Sequence, residues 1–178
     1  MRYISWRIFT YRFLGDDSRH RVAAWRELRK IGAVALQTAT WAVPVGEPFD
    51  AGLQRATAIV QRAGGRALCF EVSADAETSA VLESLYGAER EAEWAEFFAE
   101  CDKAEAELAS EVAKEKFTLA ELDEEEQNID RLRRWYRELR ARDLFNAPSA
   151  TPGAMRLAAC VELLEDFAQR VYDARDRP

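Results

Sequence analysis

Residues 22–44, VAAWRELRKIGAVALQTATWAVP, are the stretch on which the fold of this chain turns. Val22, Trp25, Leu28 and Ile31 recur at the spacing of one helix face, so a helix with these four inward is expected. Arg19, Arg26 and Lys30 fall near another face. Gly32 is a natural C-terminal stop, because a helix end favours a residue that tolerates positive φ. Residues 33–38 and 40–43 then read as two short strands, or as one bent strand. Pro44 ends them, since proline has no N–H to give a sheet ladder. Trp25, Gly32 and Trp41 are expected to hold this part of the fold.

Working outward, residues 3–13 alternate loosely and are rich in Tyr, Trp, Ile and Phe, the composition of a strand. Gly15, Asp16, Asp17 and Ser18 make a turn, with Asp17 or Ser18 as N-cap of the next helix. Residues 48–63 fit a second helix with Leu53, Ala56, Ile59 and Val60 inward, closed by Gly64 and Gly65. Residues 66–73 form a further strand. The order β-α-β-β-α-β predicts an α+β, ferredoxin-like domain over residues 1–74, the split βαβ arrangement.

Beyond residue 75 the strand signals stop, and residues 75–178 read as a helical extension, a hairpin followed by a C-terminal helix. Val81, Leu82, Leu85 and Tyr86 begin a helical region that Gly87 is expected to break or kink. Trp94, Phe97, Phe98, Cys101, Leu108 and Val112 continue it. Thr118 opens a new helix with Glu121, Asp123 and Glu124 in its first turns, where the helix dipole favours acids. Leu132, Trp135, Tyr136 and Leu139 mark its inner face. Residues 146–153 hold Pro148 and Pro152 and are expected to be a connection. Residues 154–175 form the last helix, with Leu157, Val161, Leu164, Phe167, Ala168 and Val171 on one side.

The chain has 178 residues, 48% of them hydrophobic and 32% charged, which supports a packed core. A formal net charge of −7 argues against whole-surface affinity for nucleic acid or acidic membrane. The charge is unevenly placed: residues 1–35 carry a net +5, residues 87–130 a net −12, and residues 131–142 a net +5. Local electrostatic recognition is therefore compatible with an acidic whole. The N-terminal MRYISWRIFTYRF has no long apolar run, and no segment approaches the ~20 apolar residues that span a bilayer. A cytoplasmic protein with no membrane partner is expected. Cys69, Cys101 and Cys160 are odd in number and far apart, so reduced, mostly buried thiols are expected rather than a disulfide framework.

No catalytic constellation emerges. One histidine, His20, and no His or Cys pair at ligand spacing leave no zinc site, and no metal or cofactor is expected. There is no GxSxG. Asp16 and Asp17 could hold a divalent cation, but a turn and helix cap explain them more simply. Gly64–Gly65 precedes a strand rather than a helix N-terminus, so it is not a phosphate cradle. The five tryptophans, 6, 25, 41, 94 and 135, have the spacing of core packing. Two basic stripes remain. Arg133, Arg137 and Arg140 are expected to pair with the acidic residues 87–126 of the same chain. Arg19, Arg26 and Lys30, beside Arg12, are the candidate DNA- or anion-binding residues.

The segment SRHRVAAWRELRKIGAVALQTATWAVP resembles the N-terminal domain of ChrB-type chromate-resistance proteins. That family shows R-V-x-x-W-R-x-L-(R/K)-x-x-G-A-V followed by a short strand with Trp and then Pro. Arg21, Val22, Trp25, Arg26, Leu28, Arg29, Gly32, Ala33, Val34, Trp41 and Pro44 match it. RLRRWYRELRARDLF, residues 131–145, is similar to the family's closing helix. The resemblance covers about residues 3–145. It implies a role in the response to chromate, as in a chromate-sensitive transcriptional regulator; longer members also carry a second, C-terminal domain. More distantly, the chain is similar to the ferredoxin-like nucleases of CRISPR systems and to the central domain of PaaX-type repressors. Those nucleases have Tyr-Asp at the end of the first strand, where this chain has Tyr11-Arg12, so nuclease activity is not carried over.

The expected function is thus a non-enzymatic regulatory or sensor protein, binding DNA or a chromate-like oxyanion through Arg12, Arg19, Arg26 and Lys30. An oligomerisation or partner-binding module, such as a homodimer, is the alternative. A metal-dependent phosphodiesterase using Asp16 and Asp17 is a weaker one.

Overall fold

The computed structural model describes residues 5–15 and 18–176. The elements run β1 (Ser5–Arg12), α1 (Ser18–Lys30), β2 (Val34–Gln37), β3 (Thr40–Pro44), α2 (Glu47–Arg62), β4 (Arg66–Ser73), α3 (Ala76–Ala113), α4 (Leu119–Arg142) and α5 (Ala150–Arg175). The α+β class and the β-α-β-β-α-β order are as the sequence predicts. The four strands lie in the order β2-β3-β1-β4, and β1–β3, β1–β4 and β2–β3 are all antiparallel. This is the strand order of the split βαβ arrangement. By packing, the chain divides into Met1–Arg90 and Glu91–Pro178, with the division inside α3.

In the first unit, alternation along β1 separates two sheet faces. Arg7 forms an ion pair with Asp50 of α2, so the odd-numbered residues of β1 face the α1/α2 layer. Trp6 meets Tyr86 of α3 edge-on at 6.0 Å, so the even-numbered residues face the other way. Between sheet and helices lie Phe9, Ala24, Leu28, Phe49, Leu53, Ala56 and Val60, all buried. Each large side chain among them contributes about 1.5–3 kcal/mol by leaving water. Both helices end alike. Gly32 and Gly64 take φ of 77° and 70°, and the following amides of Ala33 and Gly65 donate back to Leu28 and Val60 carbonyls. That closure needs a left-handed residue, which is why glycine stands at both places. Arg90, buried against the Tyr86 ring, donates to the Gly32 carbonyl at 2.9 Å.

β4 has the predicted bounds, but its burial differs from the expected buried thiol. It is an edge strand, and Leu68, Cys69 and Phe70 are exposed. Cys69 is thus not one of the buried thiols; Cys101 and Cys160 are.

In the second unit, the core is built from Trp94, Phe97, Cys101, Leu108, Ile129, Leu132, Leu139, Leu164 and Phe167. α3 runs unbroken through Gly87, contrary to the expected kink. A lone glycine costs a helix only about 1 kcal/mol relative to alanine, and the buried Tyr86 and Arg90 beside it anchor the backbone. α4 starts after Thr118 as predicted, and the Thr118 side chain caps it by accepting from the Glu121 amide. α5 starts at Ala150 and not at residue 154, so part of the expected connection is helix. Pro152 is tolerated there because a first-turn N–H has no intrahelical acceptor. The Asp143 carboxylate accepts from the Ala147 amide just before this turn. Among the described residues no helix is long and apolar enough to cross a membrane.

Candidate functional site

The outward face of α1 follows from which side the helix buries. At 100° per residue, Ala24 and Leu28 point into the core, and Ile31 continues the same stripe. The opposite side then carries Arg19, Val22, Arg26 and Arg29, flanked by Trp25 and Lys30. Val22 is 43% exposed and Trp25 48% exposed. Neither belongs to the core, which corrects the expected inner face. Spacings of three residues drift around a helix by about 60° per step, so Val22 and Leu28 are well apart on the surface. The buried stripe instead runs through Ala24, whose small side chain suits a close approach of helix and sheet. Of the other tryptophans, Trp6, Trp41 and Trp94 are buried and Trp135 is half-buried, as expected for packing residues.

Charge on this face is only partly neutralised. The Arg29 guanidinium sits 6.0 Å from the centre of the Trp25 ring and donates to Glu89 at 3.0 Å. Glu27, the one acid of the helix, is taken by Arg55 of α2 at 2.6 Å. The side chains of Arg19 and Arg26 form no ion pair or hydrogen bond among the described residues. Lys30 lies in the last turn, where the helix dipole favours a cation. Two exposed guanidiniums seven residues apart, with an exposed Val and Trp between them, make a surface that can meet anionic groups electrostatically and apolar groups by contact.

Arg12 is not part of this surface. It ends β1 on the even-numbered face, which the helices α1 and α2 do not cover. Its cross-strand partner is Arg66 of β4. The expected grouping of Arg12 with Arg19, Arg26 and Lys30 therefore separates into two places. Asp16 and Asp17, the candidate cation ligands, lie outside the described residues. Among the described residues no three His, Cys, Asp or Glu side chains converge on one point.

The second basic stripe pairs within the chain, but not as expected: Arg131 and Arg142 reach the acidic residues 87–126, Arg133 and Arg140 turn instead to acids next to them in sequence, and Arg137 has no carboxylate partner among the described residues. Arg131 reaches Glu100 at 3.5 Å, and Arg142 pairs with Glu93 at 3.1 Å where both side chains are nearly buried. Arg133 meets Asp130 at 2.9 Å and Arg140 meets Asp143 at 3.6 Å. A hydrogen bond from Lys103, with Arg131 nearby, holds the Glu100 carboxyl below its ordinary range. Inside the same unit, a hydrogen bond with Cys160 and burial push the Cys101 thiol up. A buried, protonated thiol is a poor nucleophile.

Residues 21–178 match the family described as Protein ChrB, N-terminal. No curated protein matches the chain.

Proposed function

The chain belongs to the ChrB N-terminal family, which is associated with chromate resistance, and from that premise we propose that it is a non-enzymatic regulatory module that binds DNA through the outward face of α1. The observation that carries this reading is the pair Arg19 and Arg26, exposed on one helix face without a carboxylate partner among the described residues. Seven residues of helix span about 10 Å, longer than the screening length of roughly 8 Å at physiological salt. The two charges therefore act at separate points, as along a phosphate backbone. A single small oxyanion is better held by donors that converge on it, and the α1 face spreads its donors over successive turns. DNA is accordingly favoured over a bare oxyanion as the ligand of this face.

Fluorescence anisotropy with a labelled duplex from upstream of the chain's own gene tests the reading. Binding at 50 mM salt is expected to weaken steeply toward 200 mM. Arg19→Ala/Arg26→Ala should lower affinity at least about tenfold and reduce the salt slope by about 2. Absence of wild-type binding at 50 mM, or an unaltered double variant, overturns it.

The exposure of Val22 and Trp25 favours a second reading, a protein-binding face, since Trp and Arg dominate interface energetics. A self-association lost in Trp25→Ala, with no DNA binding, would select it.

A further inference from the structure

We infer that the sheet end where β1 closes and β4 begins is a binding site for a small organic anion, one with a flat apolar body and a terminal carboxylate or phosphate. The site lies on the sheet face that α1 and α2 do not cover. It is independent of the α1 surface and of the reading given to that surface.

The first observation is electrostatic. Arg12 and Arg66 are direct cross-strand partners. Their Cβ atoms are therefore about 5 Å apart and on the same face, an arrangement that is destabilising for like charges. Surface arginines usually relieve such contact by turning to a carboxylate. Neither Arg12 nor Arg66 has one among the described residues. The sheet thus holds two guanidiniums side by side with no carboxylate partner among the described residues. Two guanidinium forks present paired N–H groups at the geometry that carboxylate and phosphate accept bidentately.

The second observation is shape. The pair stands at a cavity of about 460 Å³ that Thr10, Leu14, Leu68 and the Gly64–Gly65 turn also line. That lies within the usual range for small-molecule sites. Leu14 is 77% exposed and Leu68 47% exposed, so the cavity has apolar walls open to a ligand. Leu68 is the cross-strand partner of Thr10, one pair further along the same face from the two arginines. Thr10 Oγ1 lies 3.3 Å from Thr40 Oγ1, which places a polar hydroxyl pair on the inner side. A bare four-oxygen anion would meet the arginines and leave the leucines in water. An anion with a flat body satisfies both: its charged end lies on Arg12 and Arg66, and its ring on Leu14 and Leu68.

The sequence shows Arg12 and Arg66 only as two separate basic residues; the β1–β4 register makes them a pair. Titration of the full chain, followed by amide chemical shifts, tests the site with three probes: benzoate for the carboxylate class, AMP for the phosphate class and inorganic phosphate as the bare anion. Benzoate or AMP at millimolar concentration should shift the Thr10 and Leu68 amides. Inorganic phosphate should bind at least about tenfold more weakly. Arg12→Gln and Arg66→Gln should each weaken the bound probe about tenfold or more. Their melting midpoints without ligand should equal or exceed that of the unaltered chain, because repulsion is removed. Three results would overturn the inference: neither organic probe shifting those amides, inorganic phosphate binding as well as they do, or the Gln variants binding normally. A lowered ligand-free midpoint would also count against it, since the arginines would then be holding the fold.

Discussion

In Met1–Arg90 twelve Arg and Lys meet ten Asp and Glu, and Arg12, Arg19, Arg26 and Arg66 are left without a carboxylate among the described residues. In Glu91–Pro178 thirteen meet twenty-two, and Arg131, Arg133, Arg140, Arg142 and Arg156 each have one. The side chain is the same; the surroundings differ. Where carboxylates are in excess, four of the six α4 guanidiniums are held by one and join the scaffold, while Arg134 and Arg137 have none among the described residues. Where they are scarcer, Arg7, Arg29 and Arg55 still find one, but Arg12, Arg19, Arg26 and Arg66 keep their charge available among the described residues. A run of arginines in a sequence thus marks a binding surface only if the fold leaves it short of acids, and the densest run in this chain, residues 131–142, is mostly taken up internally.

Three measurements would break or sharpen this contrast. The largest effect is expected at the packing of the helical unit. A Cβ on Gly153 would come within 2.5 Å and 2.8 Å of two ring atoms of the buried Trp94. Gly153→Ala should cost roughly 2–3 kcal/mol in chemical denaturation, since a buried indole has no free space to move into.

The next tests the arginines directly. Arg142→Ala removes one partner of Glu93 in a nearly buried pair, and should cost about 2 kcal/mol. The same truncation at the exposed Arg26 should change stability by less than about 0.5 kcal/mol. Equal costs at the two positions would erase the distinction between scaffold and surface arginines.

The smallest effect concerns the carboxylate surplus. Glu125 is buried, and burial raises its pKa, with Glu107, Glu124 and Glu111 adding to the rise and the Asn128 hydrogen bond opposing it. A folded pKa above the unfolded one means that stability is full below the unfolded value, about 4.3. It is then lost as pH rises through the folded value. Glu125→Gln should remove that loss and raise stability at pH 7 by about 1 kcal/mol. A variant no more stable at pH 7 than at pH 4, relative to the unaltered chain, would show the surplus to be harmless.

Much of the fold was legible because its signals are local. Gly32, Gly64 and Thr118 mark helix ends through the conformations and hydrogen bonds that they alone favour there. The alternation in residues 3–13 and the helical spacing after residue 75 rest on periodicity, which needs no neighbour. Gly87 misled because its helix cost is small against the anchoring by Tyr86 and Arg90. The start of α5 was hidden because a proline can stand in a first turn as well as in a loop. The α1 surface was half legible: its basic residues were, but the placing of Val22 and Trp25 was not, since apolar spacing allows two stripes and only the packed sheet selects the one through Ala24 and Leu28.

By itself the sequence determined the order of elements, the α+β class, the family signature around Trp25 and Gly32, and the uneven distribution of charge. These depend on residues close together in the chain, where steric and hydrogen-bonding preferences act directly. Tertiary structure alone decided that Trp25 faces outward, that β4 is an exposed edge, that most arginines of α4 are neutralised, and that Arg12 stands opposite Arg66. Each of these depends on strand register or helix burial, and both are set by contacts between segments far apart in the chain.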